Sequence, residues 1–587
     1  MSDPLKLKFD VYLQDPLVAR EDPLFGFDEI EIPPEAIIFD GPTSSRFAVV
    51  DYNASTKILN RAAQWDEKSG KFRNNNRLLD KNFDSKDALQ FHQVQVWATL
   101  QRALLFFEEE QGLGRFIPWG FDGNRLIVVP HAGYGQNAYY DRASKSLQFY
   151  YYNDPNRPGA LVYTCLSADI IHHEFGHAVL DGIRPHLIES YSIETAAFHE
   201  FVGDMTALLL LLRNNDFRDK IAKKFGEDLS SIRILSGIAD EFGRTVKNKS
   251  FLRNADNKRT LAEVNESDGP HQMSTVLTGA IFKIMEQLSK QYVRRALDNK
   301  GLSGAQKRGQ AKKAFWRTIY RMHRMAIQPL DFLPPIDATF RDYALAMLRV
   351  EEISNPQDPY DYRKIMINEF IDRKILTEED KAELLHPDYL YDRNDVPLKH
   401  AIAYKIGRCK VSAYHFVNEN RKVLGIPENK DIIIADVYQS QKSTRQGRRL
   451  PTHYTLQYLW YEEVLLADGN FGEIDGEIAA MPCGATLVFD RENNLLHWAN
   501  KPGVAFVDDP DILKAGQARL AQFKAKISQL IQSQQLGLNE HGNYGLFAKS
   551  VKPIVIEKKG GLLHFKSNPH LTISEHHQNK SAWEISF

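Results

Sequence analysis

Cysteine is scarce in this sequence. Cys165, Cys409 and Cys483 are the only three in 587 residues, an odd number without a CxxC pair. That argues against a disulfide framework and against a cysteine-built zinc site, and it suits reducing surroundings. An excess of either charge is also missing: 74 Lys and Arg stand against 76 Asp and Glu, a net charge of -2. Neither nucleic acid nor an anionic membrane is therefore expected as the main partner. The N-terminal stretch Met1-Ser-Asp-Pro-Leu-Lys-Leu-Lys-Phe-Asp10 lacks the apolar core of a secretory signal, and no later segment is expected to span a bilayer. A cytoplasmic location is expected, and export by a route that needs no cleaved signal fits the same sequence. Internal repeats and long low-complexity segments are absent too.

What remains is an ordinary globular composition, 43% apolar, in a chain long enough for two to four domains. Residues 1–85 mix short alternating runs such as Arg46-Phe-Ala-Val-Val-Asp51 with Pro, Gly and Asn, and read as a β-rich N-terminal extension. Helical spacing from Asp87 to Glu110 is followed by the strand-like runs Arg125–Val129 and Ser146–Tyr152, which makes residues 86–205 a mixed α/β lobe. Helices are expected around 165–182 and 193–213, and helical patterns dominate the second lobe, 206–386. Residues 387–587 turn to strands, such as Asp431–Val437 and Ala485–Phe489, with one amphipathic helix near 509–534. They are expected to form a β-rich accessory domain. The expected class is α+β.

The chemistry-bearing pattern is His172-His173-Glu174-Phe175-Gly176-His177. On a helix the HExxH spacing places His173 and His177 one turn apart on one face, so both imidazoles can share a metal. Zinc held by protein side chains needs a third donor from elsewhere. A continuation as HxxGxxH fails, because Leu180 and Ile183 stand where Gly and His are required. A second helix with Phe198-His199-Glu200-Phe201-Val202-Gly203-Asp204 offers Glu200, with Asp204 on the same face four residues later. Asp204 is assigned to the outward N–H of His173, fixing its tautomer and orientation. His172 and His199 flank these motifs and read as structural, and the basic run Lys442–Arg449 reads as a solvated loop.

HExxH followed by an ExxxD helix resembles thermolysin and its gluzincin relatives, and the likeness runs in order from about 88 to 376. It implies a two-lobed peptidase with zinc in the cleft, held by His173, His177 and Glu200. Tyr191 and Glu194 fall where the family has Tyr and Glu, and that tyrosine donates to the tetrahedral intermediate. Leu252 and Arg253 resemble the family's Leu-Arg pair, with Arg253 binding a substrate carbonyl and Leu252 lining a primed-side pocket. Gly269-Pro270-His271 resembles the segment bearing the second, non-metal histidine, whose acidic partner is either Glu266 or Asp268. Asn137-Ala138-Tyr139-Tyr140 resembles the edge strand along which an extended peptide lies. Two departures stand out. Three extra residues separate His177 from Tyr191, and apolar side chains in Ala207–Arg213 replace an acidic calcium ligand, so calcium is not expected.

The implied reaction is endopeptidase cleavage, with Glu174 as general base toward water and then acid toward the leaving amine, and His271 and Tyr191 stabilising the oxyanion. Two other readings stay open. One is a zinc peptidase dedicated to a single substrate or gated by a regulatory protein partner at the C-terminal domain. The other is a non-catalytic zinc-binding scaffold, which the presence of Glu174 disfavours.

Overall fold

The structure, a computed structural model, describes residues 6–21, 26–35, 37–75, 86–215, 217–219, 237–238, 253–298, 301–385, 396–443, 448–504, 509–538 and 552–567. It is an α+β fold. Near the N-terminus, β1 (Leu7–Tyr12) and β2 (Phe27–Ile32) form an antiparallel hairpin. The segment then contributes β3 (Phe47–Val49) to the central sheet, so the described part of this N-terminal stretch is joined to the body of the protein and does not stand apart from it. Buried Phe9 and Phe47 explain the attachment: both side chains belong to the common core.

The central sheet contains β4 (Leu126–Tyr134), β5 (Ala138–Asp141), β6 (Ser146–Asn153) and β7 (Leu161–Tyr163) in the order β7-β6-β4-β3, with β5 paired to β6. β5 lies beside the first half of β6 and β7 beside its second half, and both are antiparallel to it. Among the described residues no strand pairs with the outer edge of β5. Helix α1 (Lys86–Glu108) packs on this sheet.

Helix α2 (Ala168–Ile183) starts where the Ser167 side chain accepts the Ile170 N–H, the usual N-cap solution for an unpaired first-turn donor. α3 (Ile193–Arg213) has no polar stripe because it has no wet side: its residues are buried from Thr195 to Leu212. By length and apolarity α3 could cross a membrane, which corrects the expectation that no segment could, yet its apolar window is 100% buried inside the protein. Against it lie α4 (Pro270–Leu297), α5 (Gly304–Ile327) and α6 (Phe340–Ser354), and α7 (Tyr362–Asp372) packs on α4 and α6. Proline opens α4 at its first turn, where a missing N–H costs nothing.

After α8 (Lys410–Glu419) comes a seven-stranded sheet of β8 (Ile433–Ser440), β9 (His453–Leu465), β10 (Ile478–Phe489), β11 (Leu495–Lys501), β12 (Leu536–Leu538), β13 (Ile554–Lys559) and β14 (Leu562–Ser567). β9 and β10 are its spine, antiparallel from Tyr454 opposite Phe489 to Leu465 opposite Ile478. Their burial is near-continuous rather than alternating, as expected of strands covered on both faces. α9 (Pro510–Gln532) crosses back toward the helical region.

This C-terminal part shares one hydrophobic core with the rest of the molecule. Thr486 Oγ1 donates to the Leu333 carbonyl at 2.6 Å, Arg349 Nε to the Leu496 carbonyl at 2.6 Å, and Ser567 Oγ to the Ile188 carbonyl at 3.1 Å. Buried Asp331 accepts Arg115 Nη2 at 2.9 Å and Lys442 Nζ at 3.0 Å. Lys442 therefore corrects the solvated-loop reading, since its ammonium is neutralised inside the joint, while Arg448 and Arg449 are exposed.

Candidate metal centre

α2 and α3 meet through glycine. A Cβ at Gly203 would lie 2.6 Å from ring atoms of His173, and one at Gly176 would lie 2.9 Å from the Gly203 Cα. Two side chains reduced to hydrogen let the backbones approach until residues on one helix reach those on the other.

The approach brings six of the expected residues together. His173 Nε2 and His177 Nε2 are 3.1 Å apart. Glu200 of α3 places Oε2 at 3.3 Å from His173 Nε2 and Oε1 at 3.7 Å from His177 Nε2. On the far side of the His173 ring, Nδ1 lies 3.1 Å from Asp204 Oδ1. Glu174, which follows His173 directly and is buried with the pair, accepts the Tyr140 backbone N–H at 3.2 Å. That links it to β5, whose first residue is Ala138. His271, on the first turn of α4, brings Nδ1 to 2.6 Å from Glu200 Oε2 and keeps 23% of its side chain exposed.

Burial alone would raise the Glu200 carboxyl pKa, but His271, His173 and His177 around it hold it well below the usual carboxylate range. Glu200 is thus an anion facing three imidazoles. His199, fully buried and stacked on the His177 ring at 6.0 Å between centroids, is pushed down to about 4 by burial. It is a neutral, structural ring, and so is His172, which burial lowers to about 3.

Other expected residues are engaged elsewhere. Tyr191 is buried with its ring edge-on to Phe523 of α9 at 4.7 Å, and burial together with a hydrogen bond to Asp337 pushes its phenol pKa up. Neither acidic candidate is seen paired with His271. The Asp268 carboxylate accepts the Asn265 N–H at 2.9 Å, and Glu266 faces Lys526 at 3.7 Å. Asn137 turns its side-chain oxygen to the Ala138 N–H at 2.9 Å and its carbonyl to Thr164 and Tyr150, fixing the start of β5. Leu252 lies outside the described residues. So does the Arg253 side chain, although the Arg253 backbone pairs with Ile238.

The sequence reading missed Asp181. It sits one turn beyond His177 on α2, takes the Tyr140 hydroxyl at 2.7 Å and Arg142 Nε at 2.9 Å, and so ties the C-terminal end of β5 and the residue after it to the motif helix. Its place four residues after the second motif histidine was the available signal.

The donor set suits a metal ion. Two ligands at about 2.0–2.1 Å on one tetrahedral ion sit ~3.3 Å apart; here the two imidazoles are 3.1 Å apart, and each faces a different oxygen of the Glu200 carboxylate, at 3.3 Å for His173 and 3.7 Å for His177. The Glu174 carboxylate also lies within 4.8 Å of both histidine donors. No family model matches the chain, and no curated protein matches it.

Proposed function

We propose that the chain is a zinc-dependent peptidase of thermolysin-like, two-lobed architecture, with the metal held by His173, His177 and Glu200. One observation carries the reading: two imidazoles and a carboxylate from two helices converge at coordination spacing, with Asp204 behind His173 and a further carboxylate, Glu174, beside them. Two imidazoles and a carboxylate, plus an outer carboxylate on one ring, are the donors of a catalytic zinc site. Zinc bound there supplies a Lewis acid and lowers the pKa of water to roughly 7.

The protein's own groups then have definable tasks. Glu174, oriented by the Tyr140 N–H, accepts a proton from water and returns it to the leaving amine. The outer edge of β5, which no described strand covers, offers backbone carbonyl groups to an extended peptide, so the substrate lies along the sheet next to Glu174. His271, anchored through Nδ1 and partly exposed, is the donor at hand for negative charge developing on the scissile carbonyl. Tyr191 is given no catalytic part here, because Phe523 and Asp337 already engage it.

The test is metal content with cleavage of a denatured protein by wild type and Glu174→Gln. Stoichiometric zinc in both, with activity lost only in the variant, is the expected result, and a metal-free wild type refutes the reading. A restricted version of the same activity, dedicated to one substrate or gated by a partner, is favoured by burial. His173, Glu174, His177 and Glu200 are each at most 6% exposed. Zinc without cleavage of generic substrates would select it.

A further inference from the structure

A second cluster of metal-ligating side chains lies away from His173 and His177. His92 comes from α1, His131 from β4, and Cys165 from the one-turn 3-10 helix Thr164–Leu166 that leads into α2. All three are at most 1% exposed. His92 Nδ1 is 2.9 Å from His131 Nε2, Cys165 Sγ is 4.0 Å from the same nitrogen, and all three donors fall within 4.8 Å of one another. The spacing is close to that of the His173–His177 pair, 3.1 Å.

The backbone is adapted to this convergence. Val129 and Gly133 of β4 face Gln148 and Tyr150 of β6, so Pro130, His131 and Ala132 together oppose one residue. An irregularity of that kind re-aims a side chain that a regular strand would point elsewhere. The outward nitrogen of His131 is held as a ligand's would be. Nδ1 meets Asp51 Oδ1 at 2.8 Å, and Gln93 Nε2 fixes the other oxygen of Asp51 at 2.7 Å. A carboxylate behind an imidazole sets the tautomer that presents Nε2 to a metal. The Tyr163 ring closes the side, edge-on to His92 at 4.7 Å and to His131 at 5.5 Å.

We propose that His92 Nδ1, His131 Nε2 and Cys165 Sγ form a second metal site, structural in role, for a divalent thiophilic ion of the zinc class. Two imidazoles and a thiolate favour zinc or copper over magnesium or calcium. Charge selects the divalent state: the Cys165 thiol releases one proton on binding, and the thiolate with Asp51 then carries two negative charges against the ion's two positive ones. A neutral assembly is what a fully buried site requires. The ion would staple α1, β4 and the lead-in of the motif helix α2 to one another.

The test uses full-length protein with His173→Ala, His177→Ala and exposed Cys409→Ser, which removes the other metal centre and the accessible thiol. After dialysis against a weak chelator, one zinc per chain is expected to remain by elemental analysis and to vanish when Cys165→Ser is added. Cobalt loading should give a thiolate-to-metal charge-transfer band that disappears with the same change. Should Cys165→Ser not fold, X-ray absorption on the parent variant reads a sulfur scatterer at about 2.3 Å directly. A metal-free parent variant, or bound metal without a sulfur neighbour, overturns the proposal and leaves Asp51–His131–His92 as a plain hydrogen-bond chain. The peptidase reading is judged separately, on the metal lost with His173 and His177.

Discussion

Replacing Gly203 by alanine tests how the ligand helices are held together. The new Cβ would stand 2.6 Å from His173 Cε1 and Nδ1, whereas non-bonded carbon atoms settle at about 3.5 Å. Either the ring moves by ~0.9 Å or α3 retreats from α2 by a comparable amount. Overpacking of this kind costs about 1–3 kcal/mol, and alanine returns about 1 kcal/mol of helix propensity, so global stability should fall by only ~0–2 kcal/mol. The metal centre should suffer far more, because coordination distances tolerate about 0.2 Å. Zinc affinity is expected to drop ~100-fold, equivalent to about 2.7 kcal/mol. Competition against a fluorescent chelator reads the affinity, and urea unfolding of the zinc-free proteins reads the stability. Gly309→Ala on α5 is the control. Its Cβ meets nothing within 4 Å, so it should leave affinity unchanged and stabilise the helix by up to about 1 kcal/mol. Unaltered zinc affinity in Gly203→Ala would refute the claim that close glycine contact sets the ligand geometry.

Asp204→Asn keeps the shape behind His173 but removes the charge, and zinc affinity should fall about 10–100-fold; an unchanged chelator titration would remove Asp204 from the assembly. Asp331→Asn leaves Arg115 and Lys442 buried without their common anion and should destabilise by about 3–5 kcal/mol, measured by denaturant midpoint, with a loss under ~1 kcal/mol as the contrary result. Burial pushes His453 down to about 3, so the unfolded chain binds its proton first, near 6.5. Stability is then complete above that pH and declines by roughly 1.4 kcal/mol per unit as pH falls toward 3. His453→Leu should flatten the slope between pH 6.5 and 5 by that amount, and an equal slope in both proteins would count against it. A chain ending at residue 388 should not fold cooperatively, because it strips Phe523 from Tyr191, Arg519 from Asp337 and Thr486 from Leu333. A soluble fragment with a single sharp unfolding transition would show that the shared core is dispensable.

How much was legible in the sequence depends on the range of each interaction. The placement of His173, His177, Glu200 and Asp204 follows from helical period within two short segments, and the second helix spans Ile193–Arg213, the bounds its apolar run suggested. Strands β6 and β8 were visible for the same local reason, although β10 begins at Ile478, well before the strand-like stretch Ala485–Phe489 that signalled it. Tertiary partners were not visible. Tyr191 faces Phe523, 332 positions further on (523 minus 191), and no local pattern announces that. Lys442 looks solvated until Asp331 arrives from another element. His92, His131 and Cys165 are 39 and 34 positions apart, with no periodic spacing to mark them, and only the irregularity in β4 turns the middle one inward.

The hydrogen bond from Ser567 to the Ile188 carbonyl joins positions 379 apart, and it falls in the short connection between the two helices that carry the candidate ligands. A ribosome releases the chain in order, so α2 and α3 emerge long before the strand that finishes their surroundings. A nascent chain that has not yet reached β14 has its histidines and carboxylates but lacks this contact of the frame around them. On the peptidase reading, cleavage would wait until β14 has been made and has docked beside Ile188, so a chain interrupted before residue 562 would carry the donors without that part of their frame.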